Sequence, residues 1–449
     1  MPKFVERDPS QLYLLPPDIR DWVPEDDLAH FVLEAVERVP MSAFQVNERG
    51  TGSAQYHPRM MLALLIYCYA NGLFGSRRIE RATYRDLGVR YVSADCHPDH
   101  DTICAFRRQN IEAVSEAFLQ VLLMARECKL LKVGTVSVDG TQLRANASKR
   151  NSLRRDRVVA LRKQLRGEIA DLLGEAERAD VQDAPDPQSL PEELKRRETL
   201  ASKLDKACAE LERRAKARAA SERAEYEGKV AAREQREGRR KGKRPKPPQE
   251  EPRDEEQINL TDSDSALMRK NKRSEYRQCY NAQAVVDAEG SQLVLGSRVS
   301  TCASDRGELV ADVDSMPDVL GSPDRVLADN GYATGTEVAE LENRGLEVLV
   351  AVGTEDRRRK HDFRPEKPEK PVKEPKADWL KRMREKMESD ENRAHYRLRK
   401  QTVEPVFGIV KEAMGFRQFL LRGLEKVEAE WALVTLAYNC KRLNNMRLV

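Results

Sequence analysis

The chain has 449 residues, of which 34% are charged, yet 79 Lys/Arg and 75 Asp/Glu leave a formal charge of only +4. That balance excludes an evenly basic protein that coats nucleic acid anywhere, so any positive surface must be local. The longest apolar run, Met60 to Ala70, is far short of the ~18–20 residues of a membrane span.

The N-terminus, MPKFVERDPSQ, has no apolar leader segment, and the eight cysteines include no Cys-x-x-Cys pair. Both features predict a cytoplasmic protein with free thiols and no membrane partner. Residues 1–130 read as a helical N-terminal domain. Arg77 and Arg78 lie in one candidate helix. In HPDHDTICAFRRQN, Asp101 or Thr102 is placed to cap another that carries Arg107 and Arg108. Arginine-bearing helices of this kind suit docking on DNA phosphates or guanine edges. Cys96, His97, His100 and Cys104 lack the paired spacing of a zinc site, and an adjacent Cys-His pair chelates one tetrahedral ion poorly.

TVSVDGTQLRA then reads as a strand closed by Asp139-Gly140. Residues 151–250 hold 26 Lys/Arg and 20 Asp/Glu with one aromatic, Tyr226, so this segment cannot build a wide core. Val158, Leu161, Leu165, Ile169 and Leu172 recur at helical spacing, as do Leu200, Leu204, Cys208 and Leu211. Prolines 185, 187 and 191 separate the two stripes, which predicts a helical hairpin with a narrow apolar seam. We place this insertion at 151–258.

YNAQAVVDAEGSQLVLGSRVS reads as two strands joined at Ala288-Glu289-Gly290. A helix from Asp305, a short strand in RVLADNGY, a helix over Thr336–Arg344 and a strand in LEVLVAVG follow. Prolines 365, 368, 371 and 375 mark an extended linker before a helical C-terminus. The predicted fold is α/β: an RNase H-like mixed sheet flanked by helices, its catalytic domain split into 131–150 and 259–449 by the charged hairpin after the first strand.

Asp139 and Asp329 stand at predicted strand ends and Glu404 on a late helix. Singly, each Asp-Gly or Asp-Asn-Gly is turn chemistry and a helical Glu is a solvated shoulder. Together they form a set that such a sheet would gather. Three carboxylates suit two divalent ions ~3.5–4 Å apart, which activate an attacking oxygen and stabilise a leaving one.

VSVDGTQLRANAS, LADNGYATGTEV and TVEPVFGIVKEAMGFRQFLLRGLEKVEAEWALVTLAYN resemble the three catalytic motifs of bacterial insertion-sequence transposases of the DDE class. PDHDTICAFRRQN, after YHPRMMLALLIYCYANGLFGSRRIERATY, is similar to the N-terminal region of the InsH-like members of that class. The resemblance implies that Asp139, Asp329 and Glu404 are the catalytic, metal-binding triad, holding two Mg²⁺ ions for which Mn²⁺ can substitute. It implies that a 3′-hydroxyl freed at the element end attacks target DNA in line. It also implies double-stranded DNA partners, namely terminal inverted repeats and target, and a homo-oligomeric synaptic complex.

Related transposases place Tyr, Arg, Glu and Lys with two, three and six intervening residues. Here Tyr396, Arg399, Glu404 and Lys411 keep the first and last gaps, but the middle gap is four. At 100° per residue, Lys400, Glu404 and Lys411 share one helix shoulder, while Arg399 falls beyond the apolar stripe. Pro405 suggests a kink or a fresh helix start at Glu404. Lys400 is therefore expected to reach phosphate ahead of Arg399. Lys411, Arg397, Arg399 and Tyr396 complete the DNA-binding set on this helix. The shifted Tyr-Arg pair also leaves two other readings, a catalytically silent DNA-binding protein of this descent and a scaffold organised by the hairpin.

Overall fold

The computed structural model describes residues 18–47, 54–181, 190–234, 245–269, 271–332, 334–351 and 377–447. The proline linker, most of the basic run 239–246 and the run 357–360 lie outside them. The chain opens with six helices: α1 (Leu28–Glu37), α2 (Pro58–Ala70), α3 (Ser76–Arg85), α4 (Leu87–Val92), α5 (His100–Gln109) and α6 (Ile111–Glu127). α2 is buried on all sides, as its unbroken apolar run requires. The cap of α5 is Asp99, whose Oδ1 accepts from the Thr102 N–H at 2.6 Å, not Asp101 or Thr102.

The main sheet begins at β1 (Thr135–Arg144). After it come β2 (Ser152–Arg154), the long helices α7 (Arg155–Val181) and α8 (Leu190–Glu234), and β3 (Gln257–Asn259). Then follow β4 (Ala266–Met268), β5 (Arg277–Asp287), β6 (Val294–Ser300), α9 (Leu309–Val313), β7 (Arg325–Ala328), α10 (Gly335–Asn343) and β8 (Glu347–Val350). α11 (Asp378–Lys386), α12 (Asp390–Gly408), a π-helical turn (Ile409–Ala413) and α13 (Leu424–Arg447) end the chain.

β5 lies antiparallel between β1 on one side and β4 and β6 on the other, while β7 and β8 extend the sheet in parallel beyond β1. This is the mixed order of an RNase H-like sheet. α12 and α13 cover one face, and α9 and α10 the opposite one. α13 clamps the edge strand: the Asn439 side chain exchanges two hydrogen bonds with the Val294 backbone, at 2.8 and 2.9 Å. Its other side packs on α2 and α6, so the N-terminal helices share the main apolar core.

The insertion has a core of its own. Val158 and Leu165 of α7 meet Leu204, Cys208 and Leu211 of α8, the seam its spacing predicts. Ion pairs lace its flanks, among them Arg197–Glu168 at 3.0 Å and Arg166–Asp205 at 3.2 Å. β2 and β3 pair antiparallel and close its base. Such three-residue strands carry no readable period, and neither they nor β4 were expected. Among the described residues no helix is long and apolar enough to cross a membrane.

Candidate active site

The β1–β7 register explains how two distant aspartates meet. Ser137 pairs with Leu327 and Val138 with Ala328. Side chains alternate along a strand, so Ser137 and Asp139 share a face with Leu327 and Asp329. That face is the one α12 covers. Thr402 of α12 donates its hydroxyl to Ser137 Oγ at 2.8 Å, and Tyr396 packs on Leu327 and Leu349. Asp139 does not end β1, as the Asp-Gly pair suggested. The strand continues to Arg144, paired throughout with β5.

Glu404 arrives on α12, which runs unbroken through Pro405. A proline inside a helix leaves the carbonyl four residues earlier without its donor. Here that carbonyl, on Gln401, accepts from the Gln292 side chain at 2.8 Å. Gln292 sits in the β5–β6 turn at a φ of 57°. The helix therefore neither breaks nor starts afresh at Glu404, and its phase carries through.

With that phase, Arg399 belongs to the buried face of α12 together with Tyr396, Thr402, Val403 and Val406. Its guanidinium stands among all three carboxylates. Nη1 donates to Asp139 Oδ2 at 3.1 Å, and Nη2 lies 3.5 Å from Asp329 Oδ2 and 3.8 Å from Glu404 Oε1. Lys400, expected to reach phosphate ahead of Arg399, is exposed, and Arg399 is the residue at the acidic cluster. Tyr396 is buried, so its ring supports α12 and does not face DNA. Arg397 is exposed.

Burial pushes the Asp139 carboxyl up to about 6, Arg399 and the Gly140 N–H pull it down, and Asp329 and Asp305 push it further up. A buried carboxylate beside two others is a site that calls for positive charge. Arg399 supplies it, although its own Nε is buried without a partner. Among the described residues no three acidic, His or Cys side chains converge as ready-made metal ligands. The donor set is nonetheless all hard oxygen, and a cation already stands between its members. Asp139, Asp329 and Glu404 thus fit divalent ions that would replace the guanidinium contacts.

Asp305 was not foreseen. It approaches from the opposite face of the sheet, where its Oδ1 accepts from Asn281 at 2.7 Å and Gln283 at 2.9 Å. A Cβ on Gly140 would lie 2.5 Å from that oxygen. Gly140 is therefore there for clearance, which is the signal the sequence offered. Beyond Val138 β1 has no β7 neighbour, and Lys411 lies at that open edge. Its ammonium donates to Thr141 Oγ1, and to the Gln142 carbonyl at 3.3 Å.

In the N-terminal helices, Arg77, Arg78 and Arg108 are exposed. Arg107 is not available to DNA: it is buried, with Nη1 donating to the Tyr69 hydroxyl at 2.7 Å and to the Phe74 carbonyl at 3.4 Å. His97 stacks on Tyr84 with ring centroids 3.9 Å apart, and His100 pairs with Glu80 at 2.9 Å.

Two family models match the chain. Residues 253–440 match the Transposase DDE domain, and residues 17–109 match the Transposase domain (DUF772). The comparisons with curated proteins and with solved structures found no match. The first model takes in Asp329, Glu404 and most of the sheet, and the second takes in the N-terminal helices from the start of the described residues through α5. On these two matches the chain belongs to the DDE transposases of insertion sequences.

Proposed function

We propose that this transposase binds the terminal inverted repeats of its own element, hydrolyses the phosphodiester at each end and joins the freed 3′-hydroxyl to target DNA by in-line attack. One observation supports this reading above the others. Asp139, Asp329 and Glu404, from three distant parts of the chain, gather around one guanidinium on one face of the sheet.

Two Mg²⁺ ions held by these carboxylates would activate the attacking oxygen and stabilise the leaving one. The chain's own side chains account for the rest. Lys411, fixed at the open edge of β1, is a cation for the reacting strand's phosphate. Arg399 contacts the carboxylates and can turn to phosphate when they are otherwise neutralised. Arg77, Arg78, Arg108, Arg397 and Lys400 are exposed charges for duplex phosphates. We assign residues 1–130 to DNA binding, and the charged insertion 151–258 either to bridging between protomers or to gripping flanking DNA.

The test is incubation of the full chain with labelled duplexes carrying the element's two ends, with Mg²⁺ or with EDTA. The reading predicts Mg²⁺-dependent nicks with 3′-hydroxyl termini and covalent joining to target. It also predicts affinity that falls steeply with salt. Products with 3′-phosphate ends, or cleavage undiminished in EDTA, would overturn it.

A further inference from the structure

The β4–β5 hairpin carries the sequence Arg269-Lys-Asn-Lys-Arg-Ser-Glu-Tyr-Arg277, which no site described above uses. Its tip is shaped by Asn271, whose Oδ1 accepts from the N–H groups of Arg273 and Ser274, at 3.0 and 2.9 Å, and from the Ser274 hydroxyl at 2.8 Å. Arg269 lies over the Tyr276 ring, 4.8 Å from its centroid, and Tyr276 is 43% exposed.

Beside this hairpin is a cleft of about 650 Å³. Alternation along the strands makes its floor from Gly140, Gln142 and Arg144 of β1 and Arg277, Cys279 and Asn281 of β5. This is the face opposite Asp139. The open edge of β1 separates cleft from carboxylates, with Lys411 on that edge and Asp305 at the near end.

The charge of the cleft is unbalanced. Arg144, Arg269, Arg277, Lys411 and Arg417 line it, against Glu275, Asp305 and Glu412. Arg417 pairs with Glu412, and Asp305 is held by two amides. Among the described residues Arg144, Arg269 and Arg277 form no ion pair, whereas Arg417 in the same cleft does. Unneutralised arginines beside a half-exposed aromatic ring are the combination that holds single-stranded nucleic acid, by phosphate contact and base stacking.

We propose that this cleft binds an unpaired DNA strand, which turns round the open edge of β1 past Lys411, with Arg144, Arg269 and Arg277 on its phosphates and Tyr276 stacked on a base. The volume suits a short single-stranded segment and not a duplex. The role given to the strand, as the one flanking the reacting phosphate, rests on the proposed function; the binding itself does not.

The test is fluorescence anisotropy in EDTA with the full chain and a labelled DNA hairpin of arbitrary sequence, either blunt or carrying an oligo-thymidine tail. The wild type is expected to bind the tailed probe about tenfold more tightly. Arg269→Ala/Arg277→Ala should abolish that preference and lower the salt slope on the tailed probe by about 1.4, two phosphate contacts' worth. Tyr276→Ala should weaken tailed binding about tenfold and Tyr276→Phe should restore it. Equal wild-type affinity for both probes, or a preference unchanged in the double variant with native circular dichroism, overturns the proposal. Because nothing is cleaved, that failure leaves the triad reading untouched. Conversely, inactive carboxylates with an intact tail preference would leave the cleft standing.

Discussion

Arg399→Gln removes the only guanidinium that, among the described residues, is shared by Asp139, Asp329 and Glu404. At the separations found, 3.1, 3.5 and 3.8 Å, a unit-charge pair in an effective dielectric of 20 is worth roughly 4 kcal/mol before desolvation is charged against it. Asp329 and Glu404 have side chains about half exposed (51% and 53%) and contribute little after screening. Asp139, at 20%, dominates. Breaking one buried pair typically costs ~3–5 kcal/mol because the remaining charge is stranded, and we expect about 3 kcal/mol here, since Asp139 can take up a proton. Divalent ions should remove the deficit. A saturating metal stabilises by RT ln(1 + [L]/Kd), about 2.7 kcal/mol at a hundredfold excess. The wild type should gain less, because its guanidinium must first be displaced. Urea denaturation of both proteins in EDTA and in Mg²⁺ reads this directly. A variant as stable as the wild type in EDTA, or equal metal gains in the two proteins, would refute Arg399 as the resident counter-charge of the proposed metal site.

Two further outcomes concern stability. Leu204→Ala in α8 opens a cavity in the hairpin's separate core, costing ~2–5 kcal/mol locally; hydrogen exchange should show α7 and α8 deprotected while β1 and β5 keep their protection. Asp312 is buried and its carboxyl is pushed up to about 7 by that burial, against the pull of Arg298. The folded state therefore holds a proton that the unfolded chain releases, so this group's stabilisation is full below pH ~4 and is lost as pH rises through about 7. Asp312→Asn should flatten the fall in unfolding free energy between pH 5 and 7 by up to ~1.4 kcal/mol per pH unit, one proton's worth. An unchanged slope in denaturation series would contradict it.

The parts legible in the sequence were those governed by local periodicity. Val136 and Val138 gave β1, and Leu204, Cys208 and Leu211 gave the hairpin seam. The acidic residues were legible through the order of their motifs: Asp329 does follow the end of β7, but Asp139 lies within β1 and Glu404 within α12. What escaped depended on partners distant in sequence. Arg399 was placed off the carboxylates because helical phase sets it across the apolar stripe from Glu404; that buried stripe, however, faces the strands that carry Asp139 and Asp329, a packing no local pattern reveals. Arg107 looked like a phosphate contact on a capped helix, but Tyr69 and Phe74 enclose it. Asp139-Gly140 read as a turn because Asp-Gly usually is one, whereas here the glycine clears room for Asp305 and Gln283 inside a continuous strand. The basic β4–β5 hairpin went unnoticed because β4, at three residues, has no period to read.

The central claim is that three carboxylates perform the chemistry, and the most direct measurement pairs cleavage with binding. Asp139→Asn, Asp329→Asn and Glu404→Gln would each be assayed for Mg²⁺-dependent cutting of labelled element ends, and for affinity by gel shift. The account predicts that each variant binds the ends as the wild type does and cuts none of them. Wild-type-like cleavage by any one of the three would contradict it.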